Sequence, residues 1–482
     1  MRNGAHADKP GPPNEPFDRR GSVTPSRAEL LRLTAGALTL TAAVCLLSWP
    51  GFMSYDSMYA LRQARTGIET GGYPPMVSYL WALCERFIPG QGGMFVVQNA
   101  LVFLSVVALG RAIGAGEPQI FLALLLLAVA PLTLGSMLVV WKDVSFAGLT
   151  ALGYAFTLWY CETRKGTALA LALLFILLAS SFRLNGIAAA LPALAVLAWT
   201  ICGARTPWSE PAAGRDGSGS PWPGRLAGLA VFAGLTGLVF GTVVLASNWR
   251  LPDFKRIGMA TGSGWTQVSD LLGISLCAGR NLLPPGLYDG AMTAARLERI
   301  YHPEHGQLSF GPPPLLQESR LAANANAVEA AAMRARRDHP ACYLRHRVEV
   351  FRYTMGANAG SVFLLTNPDV FPGETATEVK HPVLAARAVA FVQRYGSGWA
   401  ARSVTFAILA LGAMLLARAR GDESRLAKAL LPLAGAVTYL AASFFILPAA
   451  DARYNFWVNL VFITTFCCLL PDLPSRRIRR GA

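Results

Sequence analysis

The sequence predicts an all-α polytopic membrane protein: a bundle of about ten transmembrane helices with an outward-facing, mostly helical domain. Three observations predict it. The 482-residue chain is 53% hydrophobic with only 15% charge. Its apolar residues fall in runs of about 18 or more, a bilayer-crossing length, rather than at the intervals of a soluble core. Its cations gather at the ends of those runs, where they set orientation.

The elements follow in order. Residues 1–28 are rich in Pro, Gly and charge and are expected to be a disordered cytoplasmic tail. The first apolar run, Leu33 to Trp49, has no small-residue cleavage site ahead of Trp49-Pro50, so it reads as a retained anchor. Spans are expected at about 31–49, 94–112, 118–138, 144–161, 167–182, 186–203, 226–247, 402–418, 429–448 and 454–471. The N-terminal membrane module is then 29–247, with an outward first loop at 50–93. An extracytoplasmic domain, 248–401, mixes helical stretches such as "QESRLAANANAVEAAAMRARR" with Pro-broken ones such as "FGPPPLL". The last spans fill 402–471, and a basic tail, 472–482, closes the chain.

An even number of spans places both termini on one side. Arg19, Arg20, Arg27 and Arg32, Arg164 and Lys165, Arg205, Arg215 and Arg225, Arg418, Arg420, Arg425 and Lys428, and the final "SRRIRR" then share one face. That face is expected to be cytoplasmic. The other face receives the segment after Trp49, "WKDVSF" at 141–146, "SFRLNG" at 181–186, the domain, and "PAADARYNF" at 448–456. The spans carry almost no Asp or Glu, whereas an ion path or a glycan flippase would call for polar groups near mid-membrane.

The net charge of +15 belongs to span ends and comes without zinc-finger spacing or a Walker loop, so nucleic acid is excluded as a partner. The eight cysteines form no CxxC pair. Only Cys277 and Cys342 share a soluble segment, where an oxidising compartment would let them bridge. His302 and His305 in "YHPEHG" lack the further ligands that a metal site requires.

Chemistry concentrates in the outward loops. Asp56, in "SWPGFMSYDSMYALRQARTG", could cap a short helix ending at Thr66-Gly67. It also stands beside the exit of the first span. In "GGYPPMVSYLWALCERF", Pro75 suits the first turn of a short interfacial helix that would wall a groove beside Asp56. Lys142 and Asp143 add a second acid, and two carboxylates from separate loops can share a divalent cation or supply a base. Arg183 and Asn185 occupy the next outward hairpin, and Asp451, Arg453 and Tyr454 the last, where Arg453 could simply pair with Asp451. Each group has an ordinary explanation as an interface anchor. Together they form a set of cations matched to phosphate beside acids.

The order of these features resembles bacterial GT-C glycosyltransferases, within them the polyprenyl-phosphate-sugar-dependent membrane proteins related to protein mannosyltransferases and aminoarabinose transferases. The resemblance runs from about Trp49 to Tyr454 and includes "RRDHPACYLRHRVEVFRY" at 336–353, similar to a His-Pro-x-x-Tyr-Leu segment. It implies a GT-C-like bundle in a bacterial cytoplasmic membrane. The implied reaction is inverting transfer of a sugar from a polyprenyl-phosphate donor to an extracytoplasmic lipid, glycan or protein acceptor. Asp56 would match the first-loop acid, a general base. Asp143 would match the second acid, and both would be the ligands if a divalent cation (Mg or Mn) takes part. Lys142, Arg183 and Arg453 are assigned by charge and placement to the donor phosphate, and Tyr73, Asn185, Asp451 and Tyr454 to the substrate groove. The chain departs from many relatives in carrying Tyr73 where they have His before Pro-Pro, and a single acid in "YDS". The competing readings are a lipid-linked glycan flippase or transporter, a ligase or polymerase acting on diphosphate-linked glycan, and a non-catalytic scaffold.

Overall fold

The apolar runs fold as helices, and their lengths decide how each one meets the bilayer. The computed structural model describes residues 26–70, 74–183, 185–203, 221–248, 255–257, 262–288, 292–301, 318–356 and 377–472. Helix α1 (Arg27–Ser48) opens at Ser26, whose hydroxyl accepts from the Glu29 amide at 3.1 Å. Helices α2 (Tyr55–Thr66) and α3 (Pro75–Glu85) fill the first loop, with Pro75 at the first helical position of α3. Then come α4 (Gly92–Ile113), α5 (Glu117–Val129), α6 (Pro131–Met137), α7 (Lys142–Thr163), α8 (Gly166–Phe182), α9 (Gly186–Ile201) and α10 (Pro221–Asn248). After the domain described below, α17 (Ser403–Ala419), α18 (Glu423–Ile446) and α19 (Phe456–Cys468) complete the bundle.

Each expected span falls on one of these apolar elements, and the chain is an all-α polytopic membrane protein. Among the described residues, five helices are long and apolar enough to cross a membrane alone, within α1, α4, α7, α10 and α18. Two corrections follow. The third expected span, 118–138, is broken: Ala130 is extended, Pro131 has no N–H to continue the ladder, and α5 meets α6 at 70°. Every residue of α6 is buried, so this two-turn piece of the crossing runs inside the protein. The last span, expected at 454–471, has a regular helix of only 13 residues. At 1.5 Å per residue that is about 20 Å, short of a hydrocarbon core. Nearly all of α19 is buried, so its neighbours rather than lipid surround it.

Small residues let the helices approach. A Cβ on Gly148 of α7 would meet the Leu101 backbone of α4 at 2.9 Å. At Gly435 of α18 it would collide with the Tyr154 hydroxyl, which donates to Ala189 O at 2.5 Å and so ties α7 to α9. One end of the bundle carries the ion pairs Arg32–Glu117, Arg111–Glu29, Lys428–Glu162 and Arg425–Asp472. Those are helix ends that the charge pattern placed on a common face.

The opposite end carries the domain. Helices α11 (Gly262–Ala278), α12 (Ala294–Ile300), α13 (Glu318–Ala323), α14 (Ala325–Asp338) and α15 (Pro340–Thr354) enclose a second apolar core that includes Val268, Leu271, Leu297, Val328 and Ala332. Cys277 and Cys342 are disulfide-bonded and join α11 to α15. Helix α16 (Pro382–Tyr395) lies against α1 and α6, and Lys380 N donates to Trp49 O at 2.7 Å just before it. A short parallel ladder, β1 (Ile68–Thr70) with β2 (Lys255–Ile257), links the first loop to the segment after α10 and departs from the all-helical expectation.

Candidate active site

Local backbone pairing brings the first two loops together. After α1 the chain turns at Gly51, whose φ of +104° suits glycine, and a Cβ there would meet the Phe95 ring at 2.8 Å. Phe52 then pairs with the strand-like segment before α7: Phe52 N donates to Leu138 O at 2.9 Å, and Val140 N to Phe52 O at 2.8 Å. Gln98 of α4 grips the same segment, donating to Val139 O at 2.8 Å and accepting from Trp141 N at 3.0 Å. The Ser57 hydroxyl donates to Val140 O. Asp56 and Lys142 are thereby set side by side. Ser54, not Asp56, caps α2, in a capping box with Ser57. Asp56 sits in the first turn, where the helix dipole favours an acid.

Arg453 joins this pair from the far end of the chain. The Asp451 carboxylate accepts from the Arg453 amide at 3.1 Å, closing a 3₁₀ turn over Ala452–Asn455. The guanidinium then pairs with Asp451 through Nε at 2.9 Å and with Asp56 through Nη1 at 2.8 Å. Its Cζ lies 5.1 Å from the rings of both Trp141 and Tyr454. Burial works against the charge of Arg453, yet Asp56 and Asp451 hold its pKa well above the ordinary value. Burial pushes the Asp451 carboxyl up, with Arg453 opposing.

A second pair backs the first. Asp143 and Arg183 form an ion pair with side chains only 2% and 9% exposed. Arg183 Nε donates to Asn185 Oδ1 at 3.0 Å, and its Cζ lies 5.0 Å from the Tyr454 ring and 6.0 Å from that of Tyr439. Tyr454 therefore stands between two guanidinium groups. Lys142, one residue earlier on α7, faces the other way and lines a cavity of about 10 Å³ with Asp56, Val77, Trp81 and Trp141. That is room for about one water molecule. Val77 and Trp81 belong to α3, which does wall the space beside Asp56.

The structure thus gathers Asp56, Lys142, Asp143, Arg183, Asn185, Asp451, Arg453 and Tyr454 around one end of the bundle. Tyr73, His302 and His305 lie outside the described residues. The acids expected to share a divalent cation are engaged separately, Asp56 by Arg453 and Asp143 by Arg183. Among the described residues no three His, Cys, Asp or Glu side chains cluster as a metal would need. A divalent cation held by one or two carboxylates, with water or phosphate oxygens completing its shell, would have to displace these guanidinium groups. Trp141, Ser57, Gln98 and Tyr439 were missed in the sequence. Gln98 alone left a signal, a polar residue within the apolar run "FVVQNALVFL".

Fold and site together define a polytopic membrane protein with an arginine–carboxylate centre at one end of its bundle. No family model matches the chain, and no curated protein does. Among solved structures it is similar to ArnT from Cupriavidus metallidurans bound to undecaprenyl phosphate, at 12% identity and a TM-score of 0.34, over 88% of this chain and 78% of that one. It is also similar to arabinosyltransferase EmbB from Mycobacterium smegmatis, at 14% identity and a TM-score of 0.30, over 92% of this chain and 44% of that one.

Proposed function

We propose that the chain is a membrane glycosyltransferase that moves a sugar from a polyprenyl-phosphate donor to an extracytoplasmic acceptor, with inversion at the anomeric carbon. The observation that carries this reading is the Asp56–Arg453 pair: a candidate base and a candidate phosphate ligand held 2.8 Å apart at the mouth of an apolar bundle. The order of short motifs that resembles the GT-C enzymes supports it independently. We further propose that the site faces away from the cytoplasm, in a bacterial inner membrane with both termini inside. The basic loops at the opposite end and the Cys277–Cys342 bridge in the domain support that orientation.

In the proposed reaction, the donor's tail lies in the bilayer and its phosphate approaches Arg453 and Lys142. A phosphate is a better match for the forked guanidinium than one carboxylate oxygen, so it competes with Asp56 for Arg453. Asp56 is then available to the acceptor hydroxyl. The hydroxyl oxygen bonds to the anomeric carbon, the bond from that carbon to the phosphate oxygen breaks, and the proton passes to Asp56. The leaving group is polyprenyl phosphate, its charge held by Arg453 and Lys142. Arg183, neutralised by Asp143, keeps Tyr454 and hence Arg453 in place. No step passes through a metal.

The test is release of polyprenyl phosphate from a panel of polyprenyl-phosphate sugars, using membranes that hold the protein and a cellular extract as acceptor source. Release from one donor names the sugar. No release from any of them, with release from diphosphate-linked donors instead, sinks this reading in favour of a ligase or polymerase.

A further inference from the structure

The segment that carries Asp451, Arg453 and Tyr454 is short and lies between two helix ends, yet its guanidinium has to be held to a fraction of an ångström. What holds it lies in the domain. Arg347 of α15 donates from Nη1 to Leu447 O, the residue that caps the end of α18, at 2.6 Å. At the other end of the segment, Asn455 Nδ2 donates to Thr354 O at 2.9 Å. Leu447 and Asn455 are thus fastened to one helix, at points about 10 Å apart along its axis. Thr266 of α11 adds a hydrogen bond to Ile446 O at 2.7 Å.

Arg347 is fully buried and in turn needs a counter-charge. Its Nη2 pairs with Asp270 of α11, also fully buried. Asp270 takes Arg336 of α14 at 2.6 Å and lies 3.5 Å from His346 Nε2, while Tyr301 shares a 2.8 Å hydrogen bond with His346 Nδ1. One guanidinium therefore spans the domain's buried acid and the bundle's loop, a task that needs two nitrogen atoms in a fixed fork.

We propose that α15 is a splint for the Leu447–Asn455 loop and that Asp270 and Arg347 are positioning residues for Arg453, acting through the Leu447 carbonyl. The domain thereby sets the geometry of the charged centre although none of its own described side chains enters that centre. The inference takes from the reading above only the importance of Arg453; the splint itself is a statement about structure.

Hydrogen exchange by the full chain in nanodiscs tests it without reference to catalysis. Arg347→Lys keeps the charge beside Asp270 but has a single ammonium, which cannot reach Asp270 and Leu447 O together. Amides of residues 449–455 are expected to exchange at least tenfold faster in this variant, with those of α14 and α4 within twofold of wild type. Asp270→Asn, which also releases Arg336 of α14, is expected to speed exchange in the loop and in α14 together. Unchanged exchange in the loop of either variant overturns the proposal, as does acceleration in Arg347→Lys no greater there than in α11 and α14. Given a working assay, Arg453→Lys is expected to cost less in the Arg347→Lys background than in wild type, because both changes act on one group. Equal costs in the two backgrounds overturn the positioning role. Faster loop exchange in a protein that releases no polyprenyl phosphate would refute the transferase reading and leave the splint standing.

Discussion

Two acid–guanidinium clusters of similar composition sit at the same end of this molecule, and their exposure differs. In one, Asp56 and Asp451 keep 27% of their side-chain surface and Arg453 keeps 11%. In the other, Asp270 and Arg347 keep none. The first pairing can be exchanged for a ligand's, because water and an anion can reach it. The second has no alternative partner to offer, since opening it strands a charge in an apolar core. The same chemistry is a site in one place and a rivet in the other, and access decides which.

The largest effect expected from breaking that contrast falls on the sealed cluster. Arg347→Met removes one of the two arginines paired with Asp270 and frees the Leu447 carbonyl; losing a partner from a buried pair costs about 3–5 kcal/mol, and Arg336 keeps the cost toward the lower figure. The domain should lose stability by that order in a denaturant titration followed by protease sensitivity between α11 and α15.

Acidification should separate the clusters next. Burial, with Asp270 opposing, holds His346 below its ordinary 6.5. Below that value the unfolded chain binds more protons than the folded one, so stability rises with pH and is lost as pH falls. For Asp270, burial would raise the pKa, but His346 and Arg347 outweigh it and hold the carboxyl below its ordinary 3.8. Its contribution is present above 3.8 and is lost as pH falls through the folded value. Arg336, Arg347 and Tyr301 face the same groups, and Arg345 and Glu349 stand at the neighbouring cleft. The domain should therefore soften below about pH 6.5, and His346→Gln should remove that first step while leaving the second at lower pH.

The smallest effect should come from Tyr454, which stands between the two guanidiniums of the open cluster. Cation–π contacts are worth about 0.5–2 kcal/mol. Tyr454→Leu should slow donor turnover roughly tenfold, and Tyr454→Phe, which keeps the ring, should recover most of it. If Phe and Leu behave alike, the hydroxyl rather than the ring is the part that matters.

The sequence displayed the open cluster better than the sealed one. Asp56, Lys142, Asp143, Arg183 and Arg453 all lie at the ends of apolar runs, where a charge stands out against its surroundings. Their pairing was not visible. Asp56 and Arg453 come from opposite ends of the chain, and tertiary contacts such as the Phe52–Val139 bridge and the 3₁₀ turn at Asp451 bring them within reach. Lys142 and Asp143 read as one unit, yet successive residues of a helix point about 100° apart, so one faces Asp56 and the other Arg183. Asp270, in "WTQVSDLLG", and Arg347, in "LRHRVEV", look like ordinary surface charges on amphipathic helices. Burial by other helices makes them a pair, and that is a tertiary fact with no local trace. Pro131 did mark the break in the third span, but the apolarity on both sides of it masked the bend.

The central claim is that the open pair is a working base and its phosphate partner. The rate of polyprenyl-phosphate release by purified protein in nanodiscs, wild type against Asp56→Asn, tests it most directly. Loss of a general base predicts a fall of roughly 10²–10⁴-fold with the fold retained, because Asp451 still pairs with Arg453. Release at the wild-type rate from a correctly inserted Asp56→Asn protein would contradict it.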